Sequence, residues 1–286
     1  MPHKEFIEVL DAHMAYSDVG DGDPILLLHG NPMHGFLWHA LVPHIQSLGR
    51  VVIPDLIGMG DSARLASSDP DRYLLTNHIR YLDAFLEKVG VTDRVTVVGH
   101  DWGGSLAFDW ARRHSENVKG IVYFETHINS TYPTLLPEVV EFVRYMRSEE
   151  AEDAVLRGDT LLDFFLSSRG FSKPPDDTAK AEILRPWSEL GENRRAMLHW
   201  VQQGPVDGVP KQTYAIIDRY ADWLRTSPVP KLLVTATDGF MTDELLKDCR
   251  SWPNQTEVSV PGAHFVQMDA PAELGEAMRT WYSTLN

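Results

Sequence analysis

One stretch restricts this chain more than any other: Val95-Thr96-Val97-Val98-Gly99-His100-Asp101-Trp102-Gly103-Gly104-Ser105-Leu106-Ala107-Phe108. Its first residues form a β-branched apolar run, the mark of a buried strand. Gly99 and Gly103 then bracket Asp101, and the pattern continues as a helix. A strand that turns so sharply into a helix leaves space only for small residues on either side of the turn. The carboxylate at its centre is therefore presented at a strand end, where open parallel sheets place their ligand sites.

The remaining chain supplies a sheet for that turn. Short strands are predicted over Phe6–Leu10, His13–Asp18, Ile25–Leu28, Val51–Pro54, Val118–Phe124, Lys231–Thr235 and Thr256–Val260. Helices are predicted over Phe36–Leu48 (with Gly49 as its C-cap), Tyr73–Val89 (closed by Gly90), residues 103–113, Tyr214–Leu224, Thr242–Cys249 and from Pro271. This alternation specifies a mostly parallel eight-stranded sheet with helices on both faces. From about Asn129 to Lys211 the alternation stops. Helix-like segments at Leu136–Arg147, Leu161–Leu166, Ala179–Leu184 and Asn193–Gln203 replace it, interrupted by Pro174-Pro175 and Gly204-Pro205. The expected organisation is a core of residues 1–128 and 212–286 with an inserted helical cap, 129–211. With its strand–turn–helix nucleophile elbow, the pattern is that of the α/β-hydrolase fold, except that the usual G-x-S-x-G carries Asp101 in place of serine.

Charge and cysteine usage remove several function classes. Forty-one acidic residues against 26 Lys and Arg leave a net charge of −15, which repels phosphate backbones and anionic lipid. Neither nucleic acid nor a membrane surface is an expected partner. Cys249 is the single cysteine, so an intrachain disulfide and a zinc–cysteine site are both excluded. His34, His39 and His44 recur every five residues, which spreads them around a helix and gives no metal site. No apolar leader or 18-residue apolar run is present, and a cytoplasmic location is expected.

Beyond the strand ends the chain places His29-Gly30-Asn31-Pro32, Asp101-Trp102, Glu125, Asp238 and His264. The order carboxylate on the elbow, second carboxylate, late histidine matches the nucleophile–acid–base order of the hydrolase fold. An aspartate is already ionised at neutral pH and can displace a leaving group from saturated carbon, forming an ester of itself. His264 is the expected base for the water that hydrolyses this ester. Glu125 is the expected acid that orients the imidazole, with Asp238 as the competing candidate. The backbone N–H groups of Trp102 and Asn31 are the expected oxyanion donors. Hydrolysis at sp³ carbon leaves carbon–halogen or epoxide substrates. The Trp102 indole and the Asn31 amide suit a halide, which needs only donors, whereas an epoxide oxygen needs acidic tyrosines such as Tyr132, Tyr145 or Tyr214.

The motifs His29-Gly-Asn-Pro32, Pro54-Asp-Leu-Ile-Gly-Met-Gly-Asp-Ser62, Gly99-His-Asp-Trp-Gly103, Tyr123-Phe-Glu125 and Gly262-Ala-His-Phe265 resemble those of the haloalkane dehalogenases. The likeness covers residues 20–128 and 212–286, and Ser251–Thr256 also fits. Met33-His34 and the segment Leu198–Gln203 depart from the pattern. The resemblance implies Asp101 as nucleophile, His264 as base, Glu125 as acid, Asn31 and Trp102 as halide donors, and no cofactor. The implied partners are a small halogenated substrate, water and the halide product. Epoxide hydrolysis, a Renilla-luciferase-like monooxygenation and a non-catalytic receptor remain open on the same scaffold. Bland roles also exist: Asp101 as a helix N-cap, Trp102 and Ser105 as packing, and Phe142, Phe164, Phe165, Phe171 and Trp187 as the cap's own core.

Overall fold

The computed structural model describes residues 3–66, 68–130 and 137–285. Its strands are β1 (Lys4–Val9), β2 (Ala12–Val19), β3 (Pro24–Leu28), β4 (Arg50–Pro54), β5 (Val95–His100), β6 (Val118–Phe124), β7 (Lys231–Ala236) and β8 (Gln255–Val260). They form one eight-stranded sheet in the order β1-β2-β4-β3-β5-β6-β7-β8. β2 pairs antiparallel with both β1 and β4, and every pairing from β4 to β8 is parallel. The middle strands read as continuous apolar runs because they are covered on both faces: Ile25 to Leu28, Val97, Val98 and Ile121 to Phe124 are fully buried.

Helices α1 (Val42–Ile45), α2 (Leu75–Val89) and α3 (Trp102–Arg113) belong to the first half of the chain. α2 buries Leu75, His78, Leu82, Phe85 and Leu86, a stripe at helical spacing, and Gly90 ends it in the left-handed conformation. Each fully buried Leu or Phe contributes about 1.5–3 kcal/mol of transfer free energy. The helix expected over Phe36–Leu48 does not form as one piece. The chain makes a 3₁₀ turn at Gly35–Trp38 and then the single turn α1. Pro43 is the physical reason: without an N–H it fits only the first turn of a helix, so α1 begins just ahead of it. Gln46, not Gly49, is its C-cap.

Between β6 and β7 come α4 (Pro137–Met146), α5 (Glu149–Leu156), α6 (Thr160–Leu166), α7 (Asp177–Leu184), α8 (Arg195–Gln202) and α9 (Lys211–Leu224). Among the described residues of this segment the sole β pairing is an isolated bridge, Val206 to Val209. α5 was not among the expected helices, although its signals are local. Ser148 accepts from the Ala151 N–H at 3.2 Å, and Glu149, Glu150 and Glu152 fill the first turn. α9 packs on α3, which itself packs on β5. α10 (Asp243–Cys249), α11 (Val266–Asp269) and α12 (Pro271–Tyr282) complete the chain. Among the described residues no helix is long and apolar enough to cross a membrane.

The helical segment is tied to the loops above the sheet. The Trp187 indole donates to the Pro32 carbonyl at 2.9 Å, and Arg64 donates to the Pro186 and Asn193 carbonyls at 3.0 and 3.1 Å. Arg185 pairs with Asp61 at 2.6 Å, and Lys4 reaches both Asp55 and Asp61 at 2.6 Å.

Candidate active site

Asp101 stands where β5 stops and α3 starts, at φ 53° and ψ −128°, a conformation rare for a residue with a side chain. The surroundings hold it there. Its N–H donates to the Glu125 carbonyl at 3.1 Å, and its carbonyl accepts from the Gly104 N–H at 3.0 Å and the Thr126 hydroxyl at 2.6 Å. A Cβ on Gly99 would meet the Gly104 Cα at 2.4 Å, and one on Gly103 the Leu28 carbonyl oxygen at 2.1 Å. The two glycines of the turn are thus required by backbone in close approach.

The two carboxylate oxygens of Asp101 have different surroundings. Oδ1 accepts the Asn31 backbone N–H at 2.7 Å. The Trp102 backbone N–H also donates to the carboxylate. Oδ2 faces His264, whose Nε2 lies 3.9 Å away, too far for a direct hydrogen bond and a span that a water can bridge. His264 Nδ1 meets Glu125 Oε2 at 3.3 Å. Glu125 follows the last residue of β6, and the same Oε2 accepts the Phe240 N–H at 2.6 Å. Asp238 is exposed and receives the Thr237 hydroxyl at 3.1 Å. Of the two candidate acids, Glu125 is the one beside the imidazole.

Burial dominates the electrostatics of this group. It pushes the Asp101 carboxyl up to about 7, against the opposing hydrogen bonds from Trp102 and Asn31. It likewise pushes Glu125 up to about 7, opposed by the N–H groups of Phe240 and Met241. The imidazole of His264 is held down at about 3 by the same desolvation. Contact with Glu125 favours a charged imidazole, and burial opposes it. The neutral form that burial favours is the one able to accept a proton.

A cavity of about 100 Å³ opens over Asp101. Asn31 and Trp102 reach it from the core. One hydrogen of the Asn31 amide goes to the Met197 carbonyl at 3.1 Å, which orients the amide and leaves its second N–H. The helical segment between β6 and β7 contributes Val139, Phe142, Val143, Phe164, Phe165 and Val201, and Phe240, Met241 and Leu245 come from the loop and helix after β7. Phe142, Phe164 and Phe165 therefore line the cavity, against the expectation that they form cap core. Phe171 and Trp187 are buried away from it. Among the described residues no tyrosine lines the cavity; Tyr145 is exposed, Tyr214 accepts from the Gly208 N–H, and Tyr132 lies outside the described residues. Ser105 is buried beside the Tyr220 hydroxyl at 3.2 Å, away from the carboxylate. No three His, Cys, Asp or Glu side chains among the described residues gather as a metal site.

Several supporting residues had no reading in the sequence. His100, the variable residue of the elbow, contacts the His264 carbonyl through Nε2 at 2.9 Å and packs its ring 4.5 Å from the His264 ring. Thr126 and Met197 brace Asp101 and Asn31 as described, and His127 joins the cavity wall. The elbow pattern was the available signal for His100, whereas Met197 acts through its backbone and leaves no side-chain signal.

A carboxylate on a strand–helix turn, beneath backbone donors and beside a His–Glu pair, defines an α/β hydrolase. The family model for the alpha/beta hydrolase fold matches residues 23–271. A haloalkane dehalogenase of Sphingobium indicum is 43% identical over 284 residues, covering 99% of this chain and 96% of its own. A coelenterazine h 2-monooxygenase of Renilla reniformis is 33% identical, covering 96% and 89%. The crystal structure of a haloalkane dehalogenase from Agrobacterium tumefaciens C58 superposes with a TM-score of 0.89 at 29% identity, covering 98% and 96%. Within the α/β hydrolases, the chain belongs to the haloalkane dehalogenases.

Proposed function

We propose that this protein hydrolyses a carbon–halogen bond through an alkyl ester on Asp101. Oδ2 attacks the carbon, the carbon–halogen bond breaks, and halide leaves toward the Trp102 indole and the free N–H of the Asn31 amide. Two charge-assisted hydrogen bonds at roughly 1.5–3 kcal/mol each lower the barrier by a factor of order 10² or more. His264 Nε2 then takes a proton from water, which adds to the ester carbonyl carbon. The oxyanion forms on Oδ1, which the Asn31 N–H already meets, and the Trp102 N–H donates to the same carboxyl group. Glu125 stabilises the imidazolium, and collapse returns Asp101 and releases alcohol and a proton. Residues 129–211 act as the cap that shapes the substrate cavity, and a cytoplasmic setting fits the single, buried free thiol Cys249.

The observation that carries this reading is the asymmetry at Asp101: Oδ1 accepts the Asn31 backbone N–H at 2.7 Å, and Oδ2 lies 3.9 Å from the His264 base. The test is halide release from a panel of bromoalkanes and dihaloalkanes, together with the intact mass of His264→Phe after incubation with a bromoalkane. Turnover by the native chain and a one-alkyl mass gain in the variant are expected. No halide across the panel overturns the activity, and an unchanged variant mass overturns the covalent route. The likeness to the Renilla enzyme favours a second reading, oxidation of a coelenterazine-type substrate; light emission without halide release would replace the first reading by this one.

A further inference from the structure

His127 is a polar side chain of the cavity wall that this chemistry leaves unused. Of the other polar residues there, Asn31, Asp101, Glu125 and His264 take part in it, and Thr126 spends its hydroxyl on the Asp101 carbonyl. His127 follows Glu125 by two residues, and its ring lies 4.4 Å from the Trp102 ring at 38°. Its position is fixed from behind: the Tyr220 hydroxyl donates to its backbone carbonyl at 2.5 Å. Its Nδ1 is buried and meets no hydrogen-bond partner among the described residues. Buried polar atoms are normally satisfied, so an imidazole that lines the cavity and holds an unpartnered nitrogen calls for a partner.

We propose that His127 is a specificity residue whose imidazole hydrogen-bonds a neutral oxygen of the substrate, so that halogenated alcohols and ethers are favoured relative to what their polarity alone would allow in so apolar a cavity. The inference rests on the dehalogenase reading above and adds the substrate class. Burial holds the ring down at about 4, so at neutral pH it carries one donor and one acceptor. A hydroxyl matches both, and an ether oxygen matches the donor. Charged substrates fit poorly. A carboxylate would join Asp101 and Glu125 in a desolvated space, and an ammonium would lose its hydration against Val139, Phe142, Val143 and Phe164. Packing against Trp102 would explain the ring but not a polar nitrogen without a partner.

The test compares kcat/KM for halide release from 4-bromobutan-1-ol and 1-bromopentane, which have equal numbers of heavy atoms. The intact protein is compared with His127→Phe, which keeps an aromatic ring beside Trp102, with His127→Leu, and with His127→Gln, which keeps a donor and an acceptor. In His127→Phe and His127→Leu the bromoalcohol-to-bromoalkane ratio is expected to fall at least tenfold, chiefly through KM of the bromoalcohol. His127→Gln restores part of it. A ratio unchanged in whichever apolar variant folds, or an equal loss for both substrates, assigns His127 to packing and overturns the proposal. A Gln ratio no higher than that of the apolar variants overturns it too. No halide from either substrate with the unaltered protein overturns the dehalogenase reading itself, an outcome distinct from the others.

Discussion

On the sheet side of the cavity, Asp101, Glu125 and His264 stand past the ends of β5, β6 and β8, and hydrogen bonds from backbone or neighbouring side chains brace each of them. On the cap side, Val139, Phe142, Phe164 and Val201 contribute apolar surface, oriented by packing alone. The contrast separates two tasks. Strand ends are rigid and fix reacting atoms within narrow limits. Helix side chains packed on one another set shape and exclude water, and they can change without disturbing the atoms beneath. Substitutions on the sheet side should therefore alter chemical steps, and those on the cap side the choice of substrate.

The largest expected effect is that of Asp101→Ala. It removes the attacking oxygen, and halide release should fall by at least about 10⁴-fold with no alkyl adduct by mass. Glu125→Gln comes next. It should slow ester hydrolysis by about 10³-fold while alkylation continues, seen as a halide burst equal to the enzyme present and then a slow phase. Acidity should slow both steps, each through its own carboxylate. With Asp101 raised to about 7, half the carboxyl is ionised at pH 7 and about a hundredth at pH 5, so single-turnover alkylation should drop by about 50-fold between them. His264, lowered to about 3, stays neutral over this range, but Glu125, raised to about 7, takes up a proton, so hydrolysis of a preformed ester should fall over the same range. The sign for stability follows from the raised carboxyl. The folded state holds that proton more tightly, so this contribution is complete below the usual 3.8 and is lost as pH rises through about 7. Trp102→Phe, which loses one donor, should cost about 10–10²-fold in kcat. Phe142→Ala, on the cap, should shift the ranking of bromoalkanes by roughly tenfold in kcat/KM and leave the pH profile of alkylation in place. If the cap substitution moved that profile, the separation between the two walls would fail.

The same contrast explains how much could be read from the chain. Asp101 and Glu125 were singled out because each stands directly after a strand, and His264 because it lies just past the last one; the structure places them together. The elbow was legible because two glycines in close backbone approach leave a short local signature. The cap was less so. Phe142 and Phe171 are both aromatic residues between β6 and β7, yet the first, on α4, lines the cavity and the second, between α6 and α7, packs on Phe265. Which face of a short helix turns inward depends on tertiary packing that no local pattern records. The continuous helix expected over 36–48 missed the weight of one proline, Pro43. His127 was passed over because a histidine three residues past a strand end has no distinctive spacing.

The unequal settings of the two Asp101 oxygens have a consequence for the fate of atoms. Under the proposed cycle the alcohol leaves with the oxygen that attacked, Oδ2, and water refills that place. Oδ1, held by the Asn31 amide, is never in the leaving position. The protein would thus surrender one atom of its own side chain at every turnover and recover it from solvent, while the neighbouring atom stays for the life of the molecule. One oxygen is a consumable and the other a fixture, and the difference between them is set by hydrogen bonds and not by any covalent distinction.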